Sequence, residues 1–465
     1  MDLSHVFKAY DVRATYPDPL NEEVGWRVGY GVGEFLKSRF GQGRVVVTLD
    51  MRPSAPAMQE ALSNGIRAAG MDVADLGMCD TSMQYFAIPH LDAVGGVQVT
   101  ASHNPVQYIG YKISMQGAKP VGQSTGLADI RKIAEDAPAE MPRLEGKVES
   151  LDVWDAYRDH IRSFCAPLPR KLKVFVDCSN GMGTTLVEKV FEGIENLELV
   201  VINNQYTDKW AHEPNPLVAE NVQPTIDGVK ANGCDLGACF DGDADRCMLV
   251  DDRGVICGCD HLTAWLAGHF LALARTDPAM HSPVPIVYDL RSSKAVPEAV
   301  TAAGGKPVIS KVGHVNMKAV LRDEDSPFGG ELSGHFYFKR NSYADSGAIT
   351  LMSALTVLGQ GEGSLADAIA PYRKYPQSGE INFENDDKQG TMAKLKDQYA
   401  PDATEILELD GVTIDCFDTK GWWCNVRASN TEPLLRLNME AKDDATLSKM
   451  LEEIKPTLGT VAAGH

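Results

Sequence analysis

The chain has 465 residues, a formal net charge of −20, 44% hydrophobic and 23% charged residues, more than one hydrophobic core can serve, so two to four domains are predicted. The acidic balance, with no basic cluster to offset it locally, excludes the phosphate backbone of nucleic acid as a partner and requires that any anionic substrate be held by a local concentration of basic groups. No stretch approaches the roughly 20 apolar residues of a membrane-spanning helix, and the opening Met1-Asp2-Leu3-Ser4-His5 lacks a basic flank followed by an apolar run, so no membrane is expected and the expected residence is cytoplasmic.

Three segments repeat one pattern: a β-rich apolar run, a polar or glycine-rich turn, then a helical stretch. The first has Arg44 to Leu49, a helix from Ala55 to Ala69, and strands at Met71 to Leu76 and Ala93 to Thr100. The second has Leu172 to Asp177, a turn at Cys178-Ser-Asn-Gly-Met-Gly, a helix from near Thr184, and strands at Leu197 to Ile202 and Asp235 to Phe240. The third has Pro285 to Asp289, a helix from Lys294 to Ala303 and a strand at Lys306 to Ser310. Strands alternating with helices predict α/β sheets covered on both faces. From about Pro371 the order changes. Ile381 to Glu384, a helix at Thr391 to Gln398, strands near Thr413 to Phe417, Trp422 to Arg427 and Leu434 to Ala441, and a closing helix from Asp444 to Ile454 suit a smaller α+β domain. The expected fold class is therefore α/β, three related domains with mixed sheets plus a smaller C-terminal α+β domain. The segments are 1–147, 148–250, 251–370 and 371–465, with the Pro-containing stretch from Asp136 to Val148 as the first linker. The ten cysteines have no C-x-x-C spacing and no secretory context, which predicts reduced interior thiols.

Four short segments carry chemistry. Thr100-Ala-Ser-His-Asn-Pro105 follows an apolar strand; a serine in such a turn can be open to solution on a rigid backbone, as a nucleophile or phosphoryl carrier requires, with His103 or a nearby cation assisting. An ordinary Ser/Asn/Pro turn is the alternative. Asp241-Gly-Asp-Ala-Asp-Arg246 also ends an apolar strand. Three carboxylates at alternate positions can converge on one hard cation, and held that close they repel one another without one. An EF-hand would need glutamate at loop position 12, where Asp252 stands. In Gly330-Glu-Leu-Ser-Gly-His335, Glu331 and Ser333 point the same way in an extended loop and suit sugar hydroxyls, with His335 as a general acid or base. In Arg427-Ala-Ser-Asn-Thr-Glu-Pro433 an arginine and three hydrogen-bonding side chains suit phosphate oxygens, or cap a turn.

In this order and spacing, TASHNP, DGDADR, GELSGH and RASNTEP resemble the motifs of the α-D-phosphohexomutase family, nearest its bacterial phosphomannomutase/phosphoglucomutase branch. The resemblance runs from the Phe7-Lys-Ala-Tyr-Asp-Val-Arg13 opening to the last strand. It implies four domains around a central active-site cleft, carrying in turn the phosphoserine, metal-binding, sugar-binding and phosphate-binding loops. It implies Ser102 as phosphoryl carrier, and Mg²⁺ held by Asp241, Asp243 and Asp245 together with the phosphate on Ser102. By the same resemblance Arg246 contacts substrate or the phosphoserine, Glu331 and Ser333 grip sugar hydroxyls, and Arg427, Ser429, Asn430 and Thr431 clamp the distal phosphate. Arg13, Lys112, His314 and His335 match positions of proton transfer or charge stabilisation. The chain departs from the family pattern at Ala14, where glycine is usual, at Ile109, where asparagine is frequent, and at Arg291, where some members have a substrate-contacting lysine.

The implied activity is interconversion of hexose 1-phosphate and hexose 6-phosphate through a hexose 1,6-bisphosphate, which also serves as activator, by a monomer or dimer. If Glu331 and Ser333 grip O3 and O4, the C2 configuration is unread and both mannose and glucose phosphates should react. The rivals are a phosphoglucosamine mutase, against which Leu332 argues where that group more often has glutamine, a phosphoserine-dependent sugar phosphatase, and a silent sugar-phosphate binder.

Overall fold

The computed structural model describes residues 1–138, 143–207, 209–429 and 434–462. The chain divides into two compact units, Met1–Cys257 with Ser333–Ala368, and Gly258–Leu332 with Ile369–His465. Among the described residues no helix is long and apolar enough to cross a membrane.

The first unit opens with a seven-stranded mixed sheet, in the order Val12–Thr15, Tyr108–Met115, Gly95–Val99, Arg44–Leu49, Asp72–Met78 and Val148–Ser150, with Lys119–Pro120 on the edge of Tyr108–Met115. The chain leaves Arg44–Leu49 through helix Ala55–Ala68 to its parallel neighbour on one side. It then returns through helix Thr81–His90 to Gly95–Val99 on the other side. Right-handed crossovers in opposite directions put these two helices on opposite faces. Covering both faces explains why Arg44–Leu49 is a continuous apolar run, buried at its last five positions, rather than an alternating one.

Helix Glu22–Phe40 packs beside Ala55–Ala68 and starts at Asn21, whose side chain accepts from the Val24 amide at 3.1 Å. The two backbones touch. A Cβ on Gly29 would lie 2.1 Å from the Leu62 carbonyl oxygen, and one on Gly65 would lie 2.0 Å from that of Trp26.

A second sheet in this unit has the order Cys247–Asp251, Leu236–Phe240, Leu172–Asp177, Leu197–Ile202. The last three are parallel, while Leu236–Phe240 and Cys247–Asp251 form an antiparallel pair. The residues joining that pair are the DGDADR segment, so two fully buried strands deliver three aspartates into one tight turn. An antiparallel hairpin, Phe336–Phe338 with Ala344–Asp345, leads into helix Gly347–Gln360. That helix is capped by Ser346, whose hydroxyl accepts from the Ile349 amide at 3.2 Å. The helix start abuts the aspartate turn: a Cβ on Gly347 would be 2.8 Å from the carbonyl oxygens of Ala244 and Arg246.

The second unit holds three parallel strands, Lys306–Ser310, Pro285–Asp289 and Phe328–Gly330, with helices Cys259–Ala274, Ala295–Ala302 and His314–Asp323. Its other part is a six-stranded antiparallel sheet, in the order Glu405–Leu407, Val412–Cys416, Trp422–Ala428, Leu434–Ala441, Gln377–Glu384, Thr460–Val461. Helices Lys388–Tyr399 and Asp444–Leu458 cover one face of it; Met392, Leu395, Leu447, Met450 and Ile454 share a core with Ile414, Cys424, Val426, Leu435 and Leu437. The expected mixed α/β architecture with a smaller α+β part is thus observed. All ten cysteines are free and only Cys165 is less than buried, as the lack of any disulfide spacing predicts.

Candidate active site

In the first unit the structure gathers Ser102, Asp241, Asp243, Asp245, Arg246, Lys112, Arg13, Ser333 and His335. Ser102 sits just beyond strand Gly95–Val99 with φ of 51°, a conformation L residues seldom adopt. Its hydroxyl donates to Asp241 Oδ2 at 3.1 Å and lies 3.2 Å from His103 Nδ1, and Arg246 Nη2 donates to it at 3.5 Å. The turn of aspartates lies directly over the serine: a Cβ on Gly242 would fall 2.4 Å from the Ser102 carbonyl oxygen. Ser102 is consequently 4% exposed, buried where the sequence reading has it open to solution.

His103 lies between Ser102 and Arg246. Burial, with Arg246 and Arg13 nearby, pushes its imidazole well below the ordinary value. Arg246 Nη2 is 2.6 Å from its Nδ1. A guanidinium only donates, so Nδ1 accepts and the ring proton sits on Nε2. The lone pair facing Ser102 is already taken.

Asp241, Asp243 and Asp245 can each bring one oxygen within 4.8 Å of the others. Lys112 Nζ donates to Asp243 Oδ2 at 2.7 Å and also pairs with Asp245. Against the cost of burial, these carboxylates hold the Lys112 ammonium far above its usual value. Burial pushes Asp241 up to about 7, with Asp245 and Asp243 adding to it against the pull of Arg246. Asp243 is also buried, yet Lys112 and the Thr81 hydroxyl keep it below the usual carboxylate range. Asp243 Oδ1 and Asp245 Oδ1 are buried and accept no hydrogen bond from the described residues. Hard oxygen donors that accept no hydrogen bond from the described residues, one face of the cage already answered by an ammonium, fit a divalent cation such as Mg²⁺.

Around this cage, His335 Nδ1 lies 2.7 Å from Asp345 Oδ2 and 3.8 Å from Asp245 Oδ1. Burial works against its charge, but Asp245 and Asp345 raise its pKa. Ser333 presents its carbonyl to Arg246 Nη1 at 3.4 Å. Arg13 lies opposite Gly110 on the strand beside Lys112, donating to Asn104 Oδ1 at 2.6 Å and from Nε to Asp11 at 3.0 Å. The two departures Ala14 and Ile109 are register partners across the same strand pair, both buried.

The second unit gathers Arg291, Glu331, His314, Arg427 and Ser429. Arg291 donates to Asp289 Oδ2 at 2.9 Å, lies 3.6 Å from Glu331 Oε1 and 3.5 Å from Glu380 Oε2. Glu331 Oε1 accepts from the Gly313 amide at 3.0 Å, at the start of the helix whose first residue is His314. Arg427 Nη2 donates to Glu380 Oε2 at 2.9 Å. Ser429 is buried, with its amide donating to the Leu434 carbonyl at 2.8 Å. Asn430 and Thr431 lie outside the described residues. Glu331 and Ser333, two residues apart, belong to different compact units.

Profiles of the family described as phosphoglucomutase/phosphomannomutase match the chain in four successive segments. Alpha/beta/alpha domain I covers residues 4–140, domain II 155–254, domain III 259–375 and the C-terminal domain 380–456. A protein named phosphohexose mutases from Xanthomonas campestris pv. campestris (strain B100) is 38% identical over 447 residues, 95% of this chain and 96% of its own length. A phosphomannomutase of Escherichia coli is 36% identical over 460 residues, 96% and 98% of the two chains. The chain belongs to the phosphoglucomutase/phosphomannomutase family. Among solved structures, a family member from Burkholderia thailandensis superposes with a TM-score of 0.87 at 29% identity, covering 97% of this chain and 96% of its own. The activity is that of a hexose-phosphate mutase, a phosphotransferase.

Several residues of this family member's site are invisible in its motifs. Thr81 donates its hydroxyl to Asp243 Oδ2 at 2.5 Å and its amide to the Asp243 carbonyl at 3.1 Å, from a helix start 162 residues earlier. Its neighbour Ser82 donates to the Asp345 carbonyl at 2.9 Å. The first two residues of helix Thr81–His90 therefore tie down both an aspartate of the cage and the partner of His335. Asp50, Arg52 and Thr100 lie beneath the Ser102 turn. Glu380 takes Arg427 together with Arg436, whose Nη1 is 3.2 Å from Oε1. Apart from Thr100, which opens the TASHNP segment, each is a lone polar residue in an unremarkable stretch, and only the partner across the fold gives it meaning.

Proposed function

We propose that this mutase interconverts the 1-phosphates and 6-phosphates of mannose and glucose through a phosphoserine at Ser102 and a hexose 1,6-bisphosphate intermediate, with Mg²⁺ as cofactor. The observation that carries this reading is the 3.1 Å approach of the Ser102 hydroxyl to Asp241, first of three buried carboxylates, with Arg246 at 3.5 Å from the same oxygen. Phosphoryl transfer is limited by alignment and charge stabilisation more than by covalent chemistry, and this oxygen has both at hand.

Asp241, Asp243 and Asp245 are the groups that would hold Mg²⁺, which supplies positive charge against phosphoryl oxygens when bound. Arg246 restrains the Ser102 oxygen, and Lys112 and Arg13 add fixed positive charge beside it. As a sugar hydroxyl takes the phosphoryl group, the Ser102 O–P bond breaks and the sugar O–P bond forms. Asp345 holds His335 through Nδ1, which leaves Nε2 for moving the proton of that hydroxyl, and His314 is the second candidate for that work. Arg427, Ser429, Asn430 and Thr431 would take the phosphate that is not reacting, with Arg291 beside them, while Glu331 and Ser333 grip sugar hydroxyls. The bisphosphate then turns end over end and returns its other phosphate to Ser102. If Glu331 and Ser333 grip O3 and O4, C2 is left unread, which supports reaction of both epimers.

A coupled assay with Mg²⁺ and a trace of glucose 1,6-bisphosphate tests this. Mannose 1-phosphate and glucose 1-phosphate should react with comparable kcat/KM, and glucosamine 1-phosphate less well. Ser102→Ala should lower kcat by about 10⁴-fold or more while the protein stays folded. Wild-type turnover in that variant would end the carrier role, and equal efficiency on glucosamine 1-phosphate would end the proposed substrate range.

A further inference from the structure

We propose that Arg52, acting with Asp50 and Thr100, is a positioning unit that fixes where Ser102 presents its hydroxyl; this rests on the reading of Ser102 as phosphoryl carrier. The Arg52 side chain is wholly buried and uses every N–H it has. Nε donates to Asp50 Oδ2 at 3.1 Å; Nη1 donates to the carbonyls of Pro105 at 2.7 Å and Tyr108 at 3.0 Å; Nη2 donates to those of Ser102 at 2.7 Å and Asn104 at 2.8 Å. Five donors thus meet five acceptors, and four of these are main-chain oxygens on both arms of one turn. A buried guanidinium ordinarily answers carboxylates or phosphates. Here it is the core around which a loop is folded.

The same unit holds the other polar group of the Ser102 main chain. The Ser102 amide donates to Thr100 Oγ1 at 2.8 Å, and Thr100 Oγ1 donates to Asp50 Oδ2 at 2.7 Å, the oxygen that also takes Arg52 Nε. Both the amide and the carbonyl of Ser102 therefore end on one guanidinium, the carbonyl directly and the amide through two side chains. Asp50 is itself anchored, its amide donating to the Val99 carbonyl at 3.0 Å at the end of the neighbouring strand. The positive φ of Ser102 persists because these contacts over-determine it.

A carrier serine alternates between a neutral hydroxyl and a phosphate of about −1.5 to −2 charges. Lys112, Arg13 and Arg246 would draw the charged form and release the neutral one. A turn gripped from beneath through its carbonyls keeps one pose in both states, because that grip does not depend on the charge of the serine. Arg52 touches no reacting atom, so its effect falls on the alignment of Ser102 and not on substrate affinity.

The test uses the full chain with Arg52→Lys, Thr100→Val and Ser102→Ala, assayed with mannose 1-phosphate well below each melting midpoint, alongside the rate of Ser102 phosphorylation by glucose 1,6-bisphosphate read by intact mass. A lysine has three N–H groups on one atom and cannot span the four carbonyls. Arg52→Lys should lower kcat by about 100-fold, with KM within about threefold of wild type and phosphorylation slowed in parallel. Thr100→Val keeps the shape and removes only the hydroxyl; it should lower kcat by about tenfold. A role confined to stability would move the melting midpoint and leave kcat and the phosphorylation rate unchanged, and that result overturns the proposal. Should Arg52→Lys fail to fold, Thr100→Val decides alone, and wild-type kcat there overturns it. An active Ser102→Ala would instead refute the carrier reading itself, whereas a silent Ser102→Ala beside fully active Arg52→Lys and Thr100→Val would remove only the positioning unit.

Discussion

The ionic networks of the two units carry opposite surpluses. Over Ser102, the buried Asp241, Asp243 and Asp245 face Lys112 and Arg246, and two carboxylate oxygens are left without a hydrogen bond among the described residues. In the antiparallel sheet of the second unit, Arg427 and Arg436 share the single carboxylate of Glu380, which also lies 3.5 Å from an Arg291 that is itself paired with Asp289 and Glu331. The first is short of positive charge and the second of negative. Their settings differ as well. Asp243 is wholly buried and held by a side chain and an amide from Thr81, whereas Arg436 and Glu380 are 25% and 26% exposed. Like charges fixed in a dry interior can accept only a counter-ion of set size and position. A half-open cluster sharing one carboxylate can exchange that carboxylate for another anion. In a chain of net charge −20, such a local surplus of guanidinium groups is the feature that the proposed function assigns to a phosphorylated sugar.

If the first network is a cation cage, charge removal there should have the largest effect. Asp241→Asn keeps an oxygen for Arg246 and removes the carboxyl that burial already pushes up to about 7. Turnover should fall about 10³-fold, the several kcal/mol expected of a lost cation site. Added Mg²⁺ should raise the melting midpoint of the wild-type protein and not that of the variant, by the mass action of a ligand that binds only the folded state. Without metal the two proteins should melt alike. An Mg²⁺ shift that persists undiminished in Asp241→Asn would mean that the cage is not where the cation binds.

The second network should respond through affinity. Arg427 and Arg436 are direct register partners on adjacent strands, a like-charge pair that costs stability without Glu380 between them. Arg427 is the more buried of the two, at 6% exposure against 25%, so its charge is less screened. Arg427→Ala should raise KM for hexose phosphate about 50-fold, and Arg436→Ala about fivefold, with smaller changes in kcat. Equal effects, or effects confined to kcat, would show that burial does not rank these two contacts.

How much of this was legible in the sequence follows the same division. Strands Arg44–Leu49, Leu172–Asp177, Leu197–Ile202, Pro285–Asp289, Lys306–Ser310 and Leu434–Ala441 fall where their apolar runs predict, because a strand with buried neighbours needs little more than β-branched residues in a row. The aspartate turn was legible for a local reason, since all its carboxylates lie within six residues of one another. Helix Glu22–Phe40 was not. Its glycines at 25, 29, 31 and 33 argue against a helix by propensity, and only close neighbours from elsewhere in the chain explain them: the Tyr111 hydroxyl at Gly25, the Leu62 carbonyl at Gly29, the Ile130 carbonyl at Gly31 and Ala69 at Gly33. Thr81, Asp50, Arg52 and Glu380 were illegible for a related reason: each acquires its role from a partner that the topology delivers. Glu380 also depends on a register irregularity between Gln377 and Glu380, which no periodic pattern reveals.

The smallest expected effect separates the two networks most sharply. Burial raises the pKa of the Glu380 carboxyl, but Arg427, Arg291 and Arg436 outweigh it and hold the group ionised below its ordinary range. It therefore competes with any phosphate for the same guanidinium groups. Glu380→Gln removes the competing charge and keeps a hydrogen-bond acceptor in place. KM for hexose phosphate should fall about threefold, and the dependence of KM on salt should steepen as the arginines lose their internal counter-ion. The melting midpoint should fall too, because the register partners Arg427 and Arg436 then lose the carboxylate between them. In the aspartate cage the equivalent move, neutralising Lys112, should bring no gain in affinity for a sugar phosphate. A KM that rises in Glu380→Gln would mean that Glu380 serves to orient the arginines, and that the second network is as fixed as the first.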